Sequence, residues 1–304
     1  MGDPSQIKKM KLCYAMMTLM VFTAAFEFIV AKPLMETVSS ITIIWLKFTL
    51  ASLLLLCIKL VRDRRWPFRI RDIPYFFICG LVGEVLYYLG VFKALTILPV
   101  ALVTVVIALS PVMSIILERV IFSKRVRLPS MLGICISFFG ICLIAGLDPS
   151  ILAGGRFLGY LLAFVGPVTI NVYNLLITAK LSGRYNVFDL TMYLCIAVSI
   201  VTLPFALGNL PRVEDLNVTV ILSIAYLGFA LGALSLFIYI NSLVVLGPTT
   251  TLLFMNFVPV VTCVFGWLCL GEIITPGQMI GGAITLIGCA AVIWYSGRAD
   301  LSGR

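Results

Sequence analysis

Long apolar stretches dominate this sequence and limit what the chain can fold into. They recur from end to end and are separated by basic, polar, or glycine- and proline-containing breaks. A helix of about 20 apolar residues crosses the hydrocarbon core of a bilayer. A soluble fold of this size could not cover so much apolar surface. The pattern predicts an all-α integral membrane protein with ten transmembrane helices, at residues 11–31, 38–60, 73–93, 98–119, 128–147, 157–179, 188–208, 219–241, 248–270 and 276–295.

Composition narrows the classes of function. The 304-residue chain is 62% hydrophobic and 12% charged, whereas a soluble protein is roughly 45–50% apolar and about 25% charged. Ten spans of about 20 residues leave too little chain for a soluble catalytic domain. The absence of histidine excludes His-ligated metal sites and Ser-His-Asp catalysis, and none of the nine cysteines forms a C-x-x-C motif. We therefore expect no enzyme activity, no cofactor and no metal.

The distribution of basic residues predicts the orientation. Of the 22 Lys and Arg residues, 17 fall in segments on one side, four lie at the opposite ends of spans, and Lys47 lies within a span. Short cytoplasmic loops carry such an excess. We expect a multi-pass protein of the cell membrane (the cytoplasmic membrane if the host is prokaryotic), with both termini cytoplasmic and the first apolar run retained as a helix. Basic residues in the short loops on one side of the bilayer account for the net charge of +9. No nucleic-acid partner is therefore expected.

The chain also repeats itself at a constant shift of 148 residues. Several Lys, Pro, Gly, Met and Ala residues then coincide; examples are Lys32 with Lys180, Pro111 with Pro259 and Gly140 with Gly288. The predicted organisation is a tail at 1–10, repeats of five helices each at 11–147 and 157–295, and a tail at 296–304. Since five is odd, the second repeat enters from the opposite side, which makes the pair an inverted repeat, an arrangement common among secondary transporters.

Four groups of residues carry a family resemblance. Phe28–Lys32 has the form F-x-x-x-K. In the second repeat, Asn256–Val260, Leu270–Glu272 and Gly281–Gly288 follow the order N-x-x-P-V, L-G-E and G-G…G. This order and spacing resemble the EamA-type members of the drug/metabolite transporter superfamily over about residues 11–295. The resemblance implies a transporter with two five-helix halves around a central substrate cavity.

The sequence departs from that family pattern at three places. Phe122-Ser123-Lys124 stands where the first half usually has L-G-E, Lys47-Phe48 where Arg-Phe is usual, and Glu27 where a small or amide residue is commoner. These departures leave the expected fold unchanged. They do not allow a substrate to be transferred from a relative.

Ionisable side chains inside a bilayer are costly and are candidates for function. Glu84 and Lys47 lie at similar depths in their spans, so two alternatives stay open: an ion pair that fixes helix packing, or a Glu84 that faces the cavity and binds an amine or a proton. For Glu27 the alternatives are a place in the cavity wall or an ion pair with Lys32 or Lys93. Burial favours the neutral form of a carboxyl group, so either Glu is also a candidate proton carrier.

Further polar residues are candidates for substrate binding. Glu84, Tyr87 and Tyr88 share one helix face, where an acid beside two tyrosines suits an ammonium group. Other polar side chains interrupt apolar spans and either line a cavity or bond helix to helix: Asn171, Asn174, Ser235, Tyr239 and Asn256. The matched prolines Pro111 and Pro259 are candidate hinges or fixed kinks.

The favoured function is secondary transport, most simply the export of small polar metabolites such as amino acids or related amines, by alternating access around a central cavity. Coupling to protons and coupling by exchange both stay open. The alternative is a flippase for a lipid-linked or amphipathic substrate. The expected partners are a small-molecule substrate and the lipid bilayer. The spacings Gly228…Gly232 and Gly277…Gly281 predict close helix packing, either within the chain or in a homodimer.

Overall fold

The computed structural model describes most of the chain, namely residues 4–63, 65–122, 132–133, 135–137, 139–140, 143, 156–212, 215–246, 248–255 and 257–302. These residues form helices and turns, and the described part has no β-strand beyond an isolated bridge between Ser182 and Tyr185. The all-α prediction is therefore confirmed for the described part. The ten-helix count stays a prediction, because the expected span 128–147 lies mostly outside it.

Six helices in the described part are long and apolar enough to cross a membrane, each with a mean hydropathy of at least 1.6. The bounds are α1 Pro4–Leu34, α2 Ser40–Arg62, α3 Ile70–Leu95, α6 Arg156–Leu181, α7 Val187–Leu207 and α8 Val218–Val245. Five further helices are α4 Val100–Ile107, α5 Ser110–Phe122, α9 Pro248–Met255, α10 Val258–Leu270 and α11 Pro276–Ser302.

The two predicted proline sites are helix breaks. The expected span 98–119 divides into α4 and α5, and the expected span 248–270 divides into α9 and α10. In each pair the proline, Pro111 or Pro259, is the second residue of the second helix, where its missing N–H costs no helical hydrogen bond. The two breaks fall at positions 148 residues apart. Their role as hinges stays a prediction.

Matched helices of the two halves lie antiparallel. Between α2 and α7, Thr42 Oγ1 donates to the Asn209 carbonyl at 2.9 Å, and the hydroxyls of Thr49 and Ser199 are 2.6 Å apart. Nearer the predicted inner end, Lys59 pairs with Asp189 at 2.7 Å. Residue numbers thus rise along one helix as they fall along the other.

The helical residues between 132 and 143 meet α11 in the same way. Ser137 Oγ donates to the carbonyl of Thr285 at 3.3 Å, and these two residues are themselves 148 apart. Gly140 faces Gly281, and Gly288 faces Gly133. The contact is therefore nearly self-complementary, with each half presenting the same surface to the other.

Ionic contacts tie the predicted inner ends of the helices together. Arg184 Nη1 donates to Asp72 at 2.6 Å, and the Tyr185 hydroxyl donates to the same carboxylate at 2.9 Å. Burial, followed by the hydrogen bond to Asp72, raises the pKa of the Tyr185 hydroxyl. The loop before α7 is therefore fixed to the first turn of α3.

Glycines allow α8 to approach α2 closely. A Cβ added at Gly232 would lie 2.9 Å from the Ala51 Cβ and 3.0 Å from the Lys47 carbonyl, and one at Gly228 would lie 2.6 Å from the Leu50 Cβ. The close packing predicted for this pair is present within the chain. Gly277 differs, since an added Cβ would meet no atom within 4 Å.

We expect Gly232→Ala to lower the thermal stability of the purified protein, because the atoms it meets are backbone and a Cβ that cannot rotate away. Overpacking of this kind costs about 1–3 kcal/mol. Gly277→Ala is the matched control and should melt at or above the wild-type temperature, since alanine favours the helix. Equal melting of the two variants in mild detergent would contradict the α2–α8 contact.

Candidate functional site

A cavity of about 110 Å³ lies between the two halves of the chain. Its wall is formed by α1–α6 and α8–α10, and both helix breaks reach it through Ala108, Ser110, Met255 and Val258. The volume is enough for several water molecules or a small polar molecule. Most of the lining side chains are apolar, and the polar ones are Glu27, Lys47, Glu84, Tyr87, Tyr88, Thr104, Ser110, Tyr173, Ser235 and Tyr239.

An ion pair stands on one wall of this cavity. Lys47 Nζ donates to Glu27 Oε1 at 2.5 Å and to the Tyr88 hydroxyl at 2.6 Å. It also lies 3.8 Å from the centre of the Tyr88 ring, within the range of a cation–π contact. Both charged side chains are buried, at 2% and 5% exposure. A lysine ammonium has three donors, so one donor is available to a further acceptor.

Glu84 stands in the cavity wall without an ion pair among the described residues. Its side chain is buried, and it belongs to a π-helical segment, Gly80–Leu86, in the middle of α3. Such segments often occur at functional sites. Of the two alternatives for Glu84, the structure therefore shows the cavity-facing one, because Lys47 pairs with Glu27 instead.

Glu27 lies in the cavity wall and pairs with Lys47, a partner that the sequence did not suggest. The expected alternatives for its ion pair were Lys32 and Lys93, and this expectation was wrong. Lys32 pairs instead with Glu272 at 2.6 Å. The two side chains leave α1 in different directions. Glu27 points across the bundle toward α2, whereas Lys32, five residues further along α1, reaches the end of α10.

Tyrosines surround Glu84. The ring of Tyr173 packs against Gly83 so closely that no Cβ fits there, and the tyrosine interacts with Glu84. Its hydroxyl is buried, and in the described part the Glu84 carboxylate is the polar group that it approaches. A ligand at Glu84 would therefore also lie near this hydroxyl.

The other predicted site residues divide between the wall and the layer behind it. Tyr87, Tyr88, Ser235 and Tyr239 line the cavity, and so does Pro259. Behind the wall, the Asn174 amide oxygen accepts a hydrogen bond from the Tyr239 hydroxyl at 2.9 Å. Asn174 thereby positions a lining tyrosine.

Asn171 acts at a helix break instead of in the cavity. Its Nδ2 donates to the Ser110 carbonyl at 2.7 Å and to the Pro167 carbonyl at 2.8 Å. It therefore ties α6 to the first residue of α5. Pro111 is buried beside this contact and does not line the cavity. Asn256 lies outside the described residues.

The sequence-based set of binding residues did not include four polar lining residues, namely Lys47, Thr104, Ser110 and Tyr173. A signal existed for Lys47, since it is the basic residue placed furthest from the ends of a predicted span. The other three are common residues in apolar helices, and only the packing of α4, α5 and α6 shows where they point.

Comparison with known proteins assigns the family. Residues 11–146 and, separately, residues 157–294 match the sequence profile of the EamA-like transporter family. The chain belongs to the EamA-like transporter family. The match makes this membrane protein a member of a family of transporters.

Three relatives and one solved structure extend this result. An uncharacterised transporter of Archaeoglobus fulgidus is 26% identical over 84% of this chain and 89% of its own. An uncharacterised transporter of Bacillus subtilis is 23% identical over 80% and 78%. A probable terminal-alkyne amino-acid exporter of Streptantibioticus cattleyicolor is 25% identical over 72% and 73%. A crystal structure with a TM-score of 0.65 and 18% identity covers 93% of this chain and 98% of that one, which shows the same fold.

We expect Lys47→Met to destabilise the protein strongly, because it leaves the Glu27 carboxylate buried without a partner. Breaking a buried ion pair costs about 3–5 kcal/mol. Adding Glu27→Gln to Lys47→Met should restore most of the stability, since it removes the unpaired charge. The measurement is thermal and denaturant unfolding in detergent. A single variant as stable as wild type would contradict the pairing.

Proposed function

We propose that this protein is a secondary transporter that exports amino acids or related amines by alternating access around the central cavity. The observation that carries this proposal is Glu84, a buried carboxylate that faces the cavity and has no ion pair among the described residues. An ionised acid in an apolar wall is costly unless a cation compensates it. The ammonium group of an amine is such a cation.

The remaining groups in the wall suit the rest of an amino acid. The third donor of Lys47 is available to a substrate carboxylate. The Tyr173 hydroxyl, which is buried beside the Glu84 carboxylate, offers a further hydrogen-bonding group there. Apolar side chains such as Met20, Phe28 and Leu252 complete the wall and would contact a hydrophobic substituent.

One relative supports both the substrate class and the direction. The protein from Streptantibioticus cattleyicolor is named a probable exporter of a terminal-alkyne amino acid, a molecule with one ammonium, one carboxylate and an apolar side chain. At 25% identity the name transfers only as a hypothesis. It agrees with the chemistry of the groups that line this cavity.

The antiparallel contacts between matched helices support alternating access. If α2 and α7 hold equivalent places in the two halves, their opposite directions require the halves to be inverted relative to each other. The self-complementary contact at Ser137 and Thr285 supports the same arrangement. In inverted-repeat transporters the site lies between the repeats, which rock around it.

The test is a ligand panel on purified protein in detergent. It contains amino acids, amines, nucleosides, sugar phosphates and lipids, each at two pH values. A ligand at 100 times its Kd stabilises by about 2.7 kcal/mol, which is readable as a rise in Tm. We expect stabilisation by an apolar amino acid or amine and its loss in Glu84→Gln. Glu36→Gln, an exposed acid outside the cavity, is the matched control and should keep the response.

The other outcomes are also informative. An amine response that survives Glu84→Gln would contradict the role of Glu84. Stabilisation only by a specific lipid would contradict export of a soluble metabolite and favour the flippase. For a confirmed ligand, counterflow into proteoliposomes with and without a pH gradient separates exchange from proton coupling.

A further inference from the structure

A three-part contact closes one end of the bundle. Lys32 Nζ, at the end of α1, donates to Glu272 Oε1 at 2.6 Å. Both oxygens of the same carboxylate accept from the backbone N–H of Val100, the first residue of α4, at 3.1 Å. Glu272 follows α10 directly, after the left-handed Gly271. The contact thus joins α1, α4 and α10, three helices that line the cavity.

This contact combines two stabilising interactions. Glu272 is 11% exposed in its side chain, so water screens the ion pair only partly. A carboxylate at the first N–H of a helix also satisfies a free donor and interacts favourably with the helix dipole. By the distribution of Lys and Arg, these residues face outward.

The matched positions at the other end cannot make the same contact. A shift of 148 residues takes Lys32 to Lys180, Glu272 to Lys124 and Val100 to Pro248. Lysine provides no carboxylate, and proline provides no N–H. The helix starts correspond, since α4 begins at Val100 and α9 at Pro248.

We infer that the contact of Lys32, Glu272 and Val100 is the lock of an outer gate, and that the matched positions at the inner end form no equivalent of this contact. This inference rests on the proposed alternating access but not on the choice of substrate. The two-state equilibrium is biased toward the outward-closed state by the free energy of this contact, because a contact present in one state alone shifts the populations toward that state.

The experiment measures access to the cavity from the outside. Ala24, a buried residue of the cavity wall, is changed to Cys in a chain whose native cysteines are replaced by serine or alanine. Intact cells that express this chain are treated with a membrane-impermeant maleimide. We expect Glu272→Gln to increase the labelling rate by about tenfold, as loss of a partly buried ion pair and a helix-end charge implies.

Two further variants separate the lock from a general loss of structure. Glu36→Gln removes an exposed acid from the same predicted outer surface and should leave the labelling rate unchanged. Lys124→Glu places an acid at the position that matches Glu272, and it should increase outside labelling because it stabilises the inward-closed state.

The outcomes that overturn the inference are distinct. Equal labelling in Glu272→Gln and Glu36→Gln, with both variants folded by their Tm, would overturn the outer lock. No effect of Lys124→Glu would overturn the asymmetry between the two gates. Failure of the maleimide to reach the cysteine at position 24 from either face, in permeabilised cells as well, would overturn alternating access itself and the lock with it.

Discussion

The pairing of Lys47 with Glu27 decides the electrostatics of the cavity. A lysine within a bilayer needs a counter-charge and hydrogen-bond partners, and the Glu27 carboxylate and Tyr88 hydroxyl provide them at 2.5 and 2.6 Å. Because Lys47 is neutralised there, Glu84 has no counter-charge among the described residues. If Lys47 paired with Glu84 instead, Glu27 would be the carboxylate without a counter-charge, and a ligand cation would bind on the α1 side of the cavity. The charge that Glu84 offers for recognition is therefore set by a contact between two other side chains of the cavity wall.

The position of the cavity depends on the two helix breaks. Backbone groups freed inside a membrane must find partners or face a protein-lined or water-filled space. At the break between α4 and α5, the missing N–H of Pro111 leaves the Ile107 carbonyl without its helical donor, and the Ser110 hydroxyl donates to that carbonyl at 2.6 Å. Ser110 and Ala108 face the cavity. At the break between α9 and α10, Met255 and Val258 face the cavity. The prolines that interrupt these helices thus create the polar, irregular backbone beside which a ligand could bind.

Much of the fold could be predicted from the apolar stretches alone. A span is a continuous apolar segment long enough to cross the bilayer, and its position can be read from the local sequence. The span expected at 38–60 is observed at Ser40–Arg62, and the matched prolines indicated both breaks. The partner of Lys47 could not be predicted in this way. Depth along the helix axis placed Glu84 level with Lys47, but rotation about that axis, which brings Glu27 of α1 within reach, is set by packing of non-local helices. Tyr173 was missed for the same reason.

The charges of the cavity all belong to the first half of the chain, although the backbone is matched between halves. Positions 148 residues after Glu27, Lys47 and Glu84 hold Leu175, Cys195 and Gly232. The glycine is required there, because α2 passes within 3.0 Å of where its Cβ would lie. In the proposed alternating access, the matched backbones of the two halves make the outward-closed and inward-closed states similar in shape. The unmatched side chains make these two states differ in free energy. A substrate held by Glu84 and Lys47 would then stay bound to the first half while the second half changes its contacts, so that chemistry confined to one repeat defines the binding site in both states.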